Sequence, residues 1–154
     1  MDDASFRGDC SRCAGLCCVA LAFDRGPLFA IDKPAGEACP NLGLDCGCTI
    51  HADRAAHGFA GCSAYDCRGA GQLATGVFAG LDWRSSDATR RQMFRAFAIA
   101  RELQQLRLVL RQLRRFDLLA PLEPATGWTL TMLLVELPPL LRATRMALRA
   151  AEAR

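Results

Sequence analysis

Apolar side chains recur at alternating steps of three and four through Ala96, Ile99, Leu103, Leu106, Leu110 and Leu113. That spacing predicts one stripe on a helix of about eight turns. Phe94 and Phe97 widen the stripe at its start, while Arg90, Arg91, Arg101, Arg107, Arg111, Arg114 and Arg115 fall mainly off it. Ser85-Ser86-Asp87 offers N-caps ahead of Ala88. Pro121 and Pro124 end this element, and a second helical region opens near Thr129 with Leu130, Leu133, Leu134 and Leu137 apolar. Pro138-Pro139 predicts a kink or interruption there, because proline lacks the N–H and clashes with the preceding turn. A last helix covers Pro139 to Ala151, with Leu141, Met146 and Leu148 apolar. Two amphipathic segments joined by a Pro-rich link predict an antiparallel hairpin, with a coiled-coil homodimer through the 96–113 stripe as the alternative.

Upstream of residue 83 the periodicity disappears. Residues 19–33 are two short apolar runs split by Asp24-Arg25-Gly26-Pro27, the pattern of short strands or an irregular apolar pad. Pro34-Ala35-Gly36 punctuates the chain, Gly58 stops a short helical turn over 53–57, and Gly69-Ala70-Gly71 closes the segment. The expected fold class is therefore α plus irregular. A small loop-rich, metal-stabilised cysteine domain (residues 1–82) packs against a mainly α-helical hairpin (residues 83–154). No internal repeat or low-complexity tract is present.

Cysteine makes metal part of that expectation. All nine lie between Cys10 and Cys67, and four fall within the nine residues Cys10 to Cys18. Such clustering argues against thiols used only as small apolar filling. An odd count behind an acidic, polar N-terminus unlike a secretory signal argues against a secreted disulfide framework. Cys10-Ser11-Arg12-Cys13 is a short chelate loop that can turn two thiolates onto one tetrahedral ion, and Gly15 is free to take positive φ behind it. Cys17 and Cys18 leave adjacent α-carbons in diverging directions, so the expectation is that they serve different centres or bridge a binuclear one. Eight thiolates fill two four-coordinate sites and leave one over. His51 and His57 are the alternative ligands, more economically read as neighbours of the site or surface.

Charge divides the chain in the same place. Residues 1–82 carry six basic against ten acidic side chains, and residues 83–154 carry thirteen, all arginine, against six. A solvated helix surface is the favoured reading of the basic half, ahead of a nucleic-acid or acidic-protein surface. At 154 residues and 51% hydrophobic, the chain has ample material for a core. No apolar run approaches the roughly 20 residues that span a bilayer, and a reducing cytoplasm is the expected location.

The cysteine pattern resembles the YkgJ-type cysteine-cluster family of bacterial zinc- or iron-chelating domains. The likeness rests on Cys10, Cys13, Cys17 and Cys18, then Cys39-Pro40-Asn41-Leu42, then Cys48-Thr49-Ile50-His51, and two closing cysteines, Cys62 and Cys67. The resemblance implies the ligand set Cys10, Cys13, Cys17, Cys18, Cys39, Cys48, Cys62 and Cys67. Cys46 has no counterpart and is the odd thiol, and His51 stands where tyrosine is common. A flagellin lysine methylase linked to an iron–sulfur cluster is a distant member. Similar cysteine-rich heads also precede some pentapeptide-repeat proteins, but no such repeat follows here.

These readings predict a polythiolate metal-binding protein whose helical half serves as a partner or scaffold surface. An iron–sulfur enzyme (oxidoreductase or methyltransferase-like) and a metal buffer or sensor are the alternatives. The sequence does not decide whether there is catalysis: no Gly-x-Gly-rich cofactor loop and no catalytic triad or carboxylate pair stands out. Zinc and a [4Fe-4S] cluster both accept four thiolates, and the spacing, unlike a ferredoxin run, leans to zinc.

Overall fold

The computed structural model describes residues 4–124 and 127–153. Helices dominate, and no strand occurs among the described residues beyond three isolated antiparallel bridges. The chain forms two compact units, Met1–Gln72 and Leu73–Arg154. The division falls upstream of the change in composition at Trp83, so residues 73–82 belong with the helical unit.

The N-terminal unit is mostly turns. Its helices are α1 (Leu16–Ala20) and α2 (Ala60–Ala64), with one-turn 3₁₀ segments at Ala4–Phe6 and Cys10–Arg12. The two apolar runs of residues 19–33 fold back on each other through bridges Phe23↔Lys33 and Gly26↔Phe29, turning at Pro27-Leu28. Phe23 and Phe29 stack with ring centroids 4.3 Å apart, and Phe59 meets both edge-on. A Cβ on Gly61 would overlap the Phe29 ring, so glycine there lets α2 close onto this aromatic pad. The apolar pad predicted for residues 19–33 is thus present. A further helix, α3 (Ala70–Gly76), spans the junction of the units.

In the C-terminal unit α4 (Asp87–Gln112) begins where the cap sequence predicts, with Ser86 Oγ accepting from Thr89 N at 3.0 Å. Its buried face is Met93, Ala96, Phe97, Ala100, Leu103, Leu106 and Leu110. The predicted stripe overlaps this face but runs off it at both margins. Ile99 is only half-buried, and Leu113 is the C-cap and half exposed. Gln104 and Arg107 are buried in their place. They bond to each other and, through Arg107, to Glu123 beyond the helix. Arg107 donates to Gln104 Oε1 at 2.7 Å and to Glu123 Oε1 at 3.1 Å, and Arg111 reaches the same carboxylate oxygen at 2.6 Å. Burial alone would raise the Glu123 carboxyl, but the hydrogen bonds from Arg111 and Arg107 outweigh it and hold it below the usual range.

After α4 come α5 (Phe116–Leu119), a 3₁₀ turn at Ala120–Leu122, a π-helical turn at Met132–Glu136, and α6 (Leu137–Glu152). Pro138-Pro139 falls in the first turn of α6, which runs on directly from the π turn, so the missing N–H groups leave carbonyls of that turn without a helical donor. The interruption is the π turn just before it. Arg95 of α4 donates to the Leu134 carbonyl of that turn at 3.2 Å. Glu102 pairs with Arg145 at 3.0 Å. Moving up α4 from Arg95 to Glu102 therefore moves up the C-terminal segment from Leu134 to Arg145. The two helices advance in the same sense. This corrects the antiparallel hairpin: the link of residues 113–129 is no tight turn, and its first part, ending at Glu123, is pinned back onto α4 by Arg107 and Arg111.

Candidate metal centre

All nine cysteines line one cavity of ≈ 570 Å³ inside the N-terminal unit, with Asn41, His51, Arg54 and Tyr65 also on its walls. All nine are free thiols; Cys39 is buried, Cys10 exposed and the others half-buried. The sequence puts them in separate turns, and a specific bond fixes each turn. Asp9 caps the 3₁₀ turn of Cys10 by accepting from Ser11 N at 3.0 Å, and its own N–H donates to Gln72 Oε1 at 2.7 Å. Gly15, at φ +67°, is the left-handed N-cap from which α1 carries Cys17 and Cys18. A Cβ there would lie 2.6 Å from Leu42 Cδ1 and 3.0 Å from the Cys46 carbonyl oxygen, so only glycine lets the 42–46 turn approach α1.

Cys39 N donates to Cys18 O at 2.9 Å, tying the Cys39-Pro40 loop directly to the vicinal pair. The bridge Leu42↔Cys48 and the bond from Thr49 N to Asn41 O place Cys48 on the opposite side of a tight turn. Cys46 sits at the tip of that turn with φ +64°. Cys62 rides on α2, and an Asx turn from Arg68 N to Asp66 Oδ1 at 2.7 Å orients Cys67. Gly71 makes the last contact: a Cβ on it would lie 2.6 Å from Cys13 Sγ and 3.9 Å from Cys67 Sγ. The first and last parts of the cysteine segment therefore meet at that glycine.

Cys17 Sγ and Cys18 Sγ are 3.9 Å apart. This corrects the expected divergence: the α-carbons separate on the helix, but the rotamers bring the sulfurs together. Two thiolates on one tetrahedral zinc, each ~2.3 Å from the ion, are also about 3.8 Å apart. The pair keeps different neighbours nevertheless. Burial pushes the Cys10 thiol up, and the charges of Cys17 and Cys67 add to that. Burial also raises Cys62, with Cys17, Cys39 and Cys48 adding to it. The hydrogen bond between Cys18 and Cys17 raises Cys18 most, followed by burial and the charges of Cys17, Cys48 and Cys39.

The same hydrogen bond lowers Cys17 to about 7 against the pull of burial, helped by the backbone N–H groups at the start of α1 and by Arg54. In metal-free protein, iodoacetamide labelling of Cys17 is therefore expected to rise through about pH 7. Cys10 and Cys62, both raised, should need a more alkaline solution. Peptide mass mapping across a pH series checks this; one shared profile for all three would refute the ordering.

Among the described residues, no group of three or more His, Cys, Asp or Glu side chains is disposed to hold a single metal ion. The thiols ring the cavity without converging on one point. The donor set suits a polythiolate centre in kind and in sharing one space, and closure onto an ion requires side-chain rotation. His51 lies on the cavity wall but is exposed, and His57 is exposed and does not line the cavity.

Two cations near the thiols escaped the sequence reading. Arg54 lines the cavity. Lys33, the one lysine of the chain, is buried, with its ammonium donating to the carbonyls of Val19, Pro34 and Glu37. Its being the one lysine among nineteen basic side chains is the only mark by which the sequence could have singled out Lys33; nothing marked Arg54.

The chain is 43% identical over 115 residues to the uncharacterized protein YybG of Bacillus subtilis (strain 168), which takes in 74% of this chain and 41% of YybG. It thus spans about two fifths of the length of the curated relative it matches. No family model matches, and no solved structure matches. Among the described residues no helix is long and apolar enough to cross a membrane.

Proposed function

We propose that residues 10–67 form a polythiolate metal-binding module of the kind the cysteine-cluster resemblance implies. Cys10, Cys13, Cys17, Cys18, Cys39, Cys48, Cys62 and Cys67 are its ligands, and the helical unit is a scaffold or partner surface. One observation carries this reading: nine free thiols, from turns up to fifty-seven positions apart in the chain, line one cavity. Thiols so crowded would oxidise or repel unless metal neutralises them, and a reducing cytoplasm keeps them available.

Two groups of four account for the neighbours. Cys10, Cys13, Cys17 and Cys67 make one, joined through Gly71 and through the mutual influence of Cys10, Cys17 and Cys67. Cys18, Cys39, Cys48 and Cys62 make the other: Cys39 N donates to Cys18 O, and Cys39 and Cys48 act on both Cys18 and Cys62, although Cys17 also reaches Cys62 across the two groups. Each group supplies the four soft ligands of a tetrahedral zinc or a cubane cluster, and zinc remains the favoured metal.

Metal analysis and absorption of anaerobically purified protein test the reading. Two zinc equivalents in a colourless protein are expected. A brown chromophore near about 400 nm would assign iron–sulfur instead, and protein free of either would overturn the proposal. Cys46→Ser should keep the metal ratio, since Cys46 stands outside both groups at the tip of its turn. Cys48→Ser should lower it. Equal loss in both variants would mean that the ligand assignment at this turn is wrong.

A further inference from the structure

We propose that Arg54 is a positioning residue of the metal centre, its Nε–H held for a thiolate sulfur that a bound metal carries. The inference rests on the metal-binding reading and adds to it a residue that neither the cysteine pattern nor the resemblance assigns.

Arg54 lines the same cavity as the thiols. Its Nε is buried and has no hydrogen-bond partner among the described residues. A buried N–H without a partner is costly, and arginine normally satisfies its fork with a carboxylate or carbonyl. No ion pair to Arg54 is present among the described residues. What shares its cavity is sulfur: all nine cysteine thiols line the same walls.

The backbone holds the side chain in place. Arg54 O accepts from Phe59 N at 2.8 Å, and the turn around it is closed by bonds from His57 N to Asp53 O and from Gly58 N to Ala55 O. The turn leads directly into Phe59 of the aromatic pad, so its position is anchored in the core.

The chemistry follows from charge. Four thiolates around one divalent ion leave a net double negative charge in a half-buried space, and a fixed cation offsets part of it. A metal-bound thiolate also keeps lone pairs that accept a hydrogen bond. Donation from Nε withdraws electron density from sulfur and raises the energy of sulfur-to-metal charge transfer. Arginine suits the task better than lysine because its charge and its Nε donor are fixed in one plane and never lost to deprotonation.

Cobalt(II) alone is the probe, titrated anaerobically into the full chain with Arg54→Gln and Arg54→Lys alongside. All three proteins should bind the same number of ions. Arg54→Gln should weaken cobalt binding by at least about tenfold, the usual size of a lost partner to a metal ligand, and move the charge-transfer band to longer wavelength. Arg54→Lys should recover part of the affinity, through its charge, without restoring the band.

Affinity within twofold of wild type together with an unmoved band in Arg54→Gln would overturn the proposal. So would a fall in the melting temperature of the metal-free Gln variant, with the charge-transfer band unmoved, because that marks a purely structural role. If the wild-type chain itself develops no thiolate-to-cobalt bands, the metal-binding reading fails, and the two failures are distinguishable.

Discussion

Stripping metal from the anaerobically prepared protein is expected to unfold the N-terminal unit and leave the helical unit standing. The asymmetry follows from what each unit buries. Within residues 4–72 the buried apolar set is Ala14, Leu16, Val19, Cys39, Phe59 and Ala70, and the regular structure amounts to two five-residue helices, single turns and isolated bridges. A unit of that size with so small a core needs a staple. A structural zinc site contributes roughly 10–16 kcal/mol of apparent folding free energy, more than the whole net stability of most domains. The C-terminal unit instead buries a continuous face of α4 against Leu119, Leu122, Leu133, Leu137 and Leu141, and has no such dependence. Chelation should therefore collapse the amide dispersion of residues 10–71 in NMR spectra while most of the helical circular dichroism survives. A dispersed spectrum from fully demetallated protein would sink the claim, and with it the idea that metal organises these turns.

The same contrast explains what could be read from the chain and what could not. A long helix announces itself by periodicity, so α4 and its Ser86 cap were legible, as was the gathering of the cysteines in residues 10–67, which line one cavity. The fine composition of the buried face was not. Gln104 and Arg107 look like surface residues until Glu123 is brought to them by a link with no periodic signal of its own. The sense of α6 was hidden for the same reason. A proline-containing connection reads as a tight turn unless one knows that Glu123 is held back on α4 by two arginines. Pro138-Pro139 was legible both as an interruption and as the start of the last helix, and both are present, as the π turn Met132–Glu136 and as α6 from Leu137. In the site, spacing alone suggested that Cys17 and Cys18 diverge, because backbone geometry was used where side-chain rotation decides. Lys33 stood out only as the one lysine of the chain; its neighbours, an aspartate and a proline, give no sign that three carbonyls await it.

Replacing that lysine is expected to have the largest effect of any single substitution outside the cysteines. Lys33 is 4% exposed, and its three ammonium protons go to Glu37 O at 2.9 Å, Pro34 O at 3.0 Å and Val19 O at 3.4 Å. The charge also lies 5.3 Å over the Phe23 ring. These bonds join the end of α1, which carries Cys17 and Cys18, to the loop that delivers Cys39. Burial lowers the Lys33 pKa, and the nearby Cys39, Cys18, Glu37 and Cys17 resist that shift. With the folded value below the unfolded one, burial of the ammonium opposes folding at neutral pH, and this cost fades only as the solution is made alkaline toward 10.5. The position persists because the carbonyls and thiolates offset the cost. Lys33→Met keeps the stem but removes the donors. The Val19 carbonyl retains the Gly36 N–H at 2.8 Å and the Pro34 carbonyl keeps only a long bond from Glu37 N at 3.4 Å, whereas among the described residues no other donor reaches the Glu37 carbonyl. Two carbonyls losing a charged partner, each worth about 1–3 kcal/mol, give an expected loss of about 3 kcal/mol. Lys33→Arg should not rescue it, because a planar fork cannot point three protons at a compact triangle of oxygens. Urea unfolding of metal-loaded protein, followed at the N-terminal unit, measures both variants. A Lys33→Met midpoint equal to wild type would show that the lysine is tolerated in the core and does not hold α1 to the Cys39 loop.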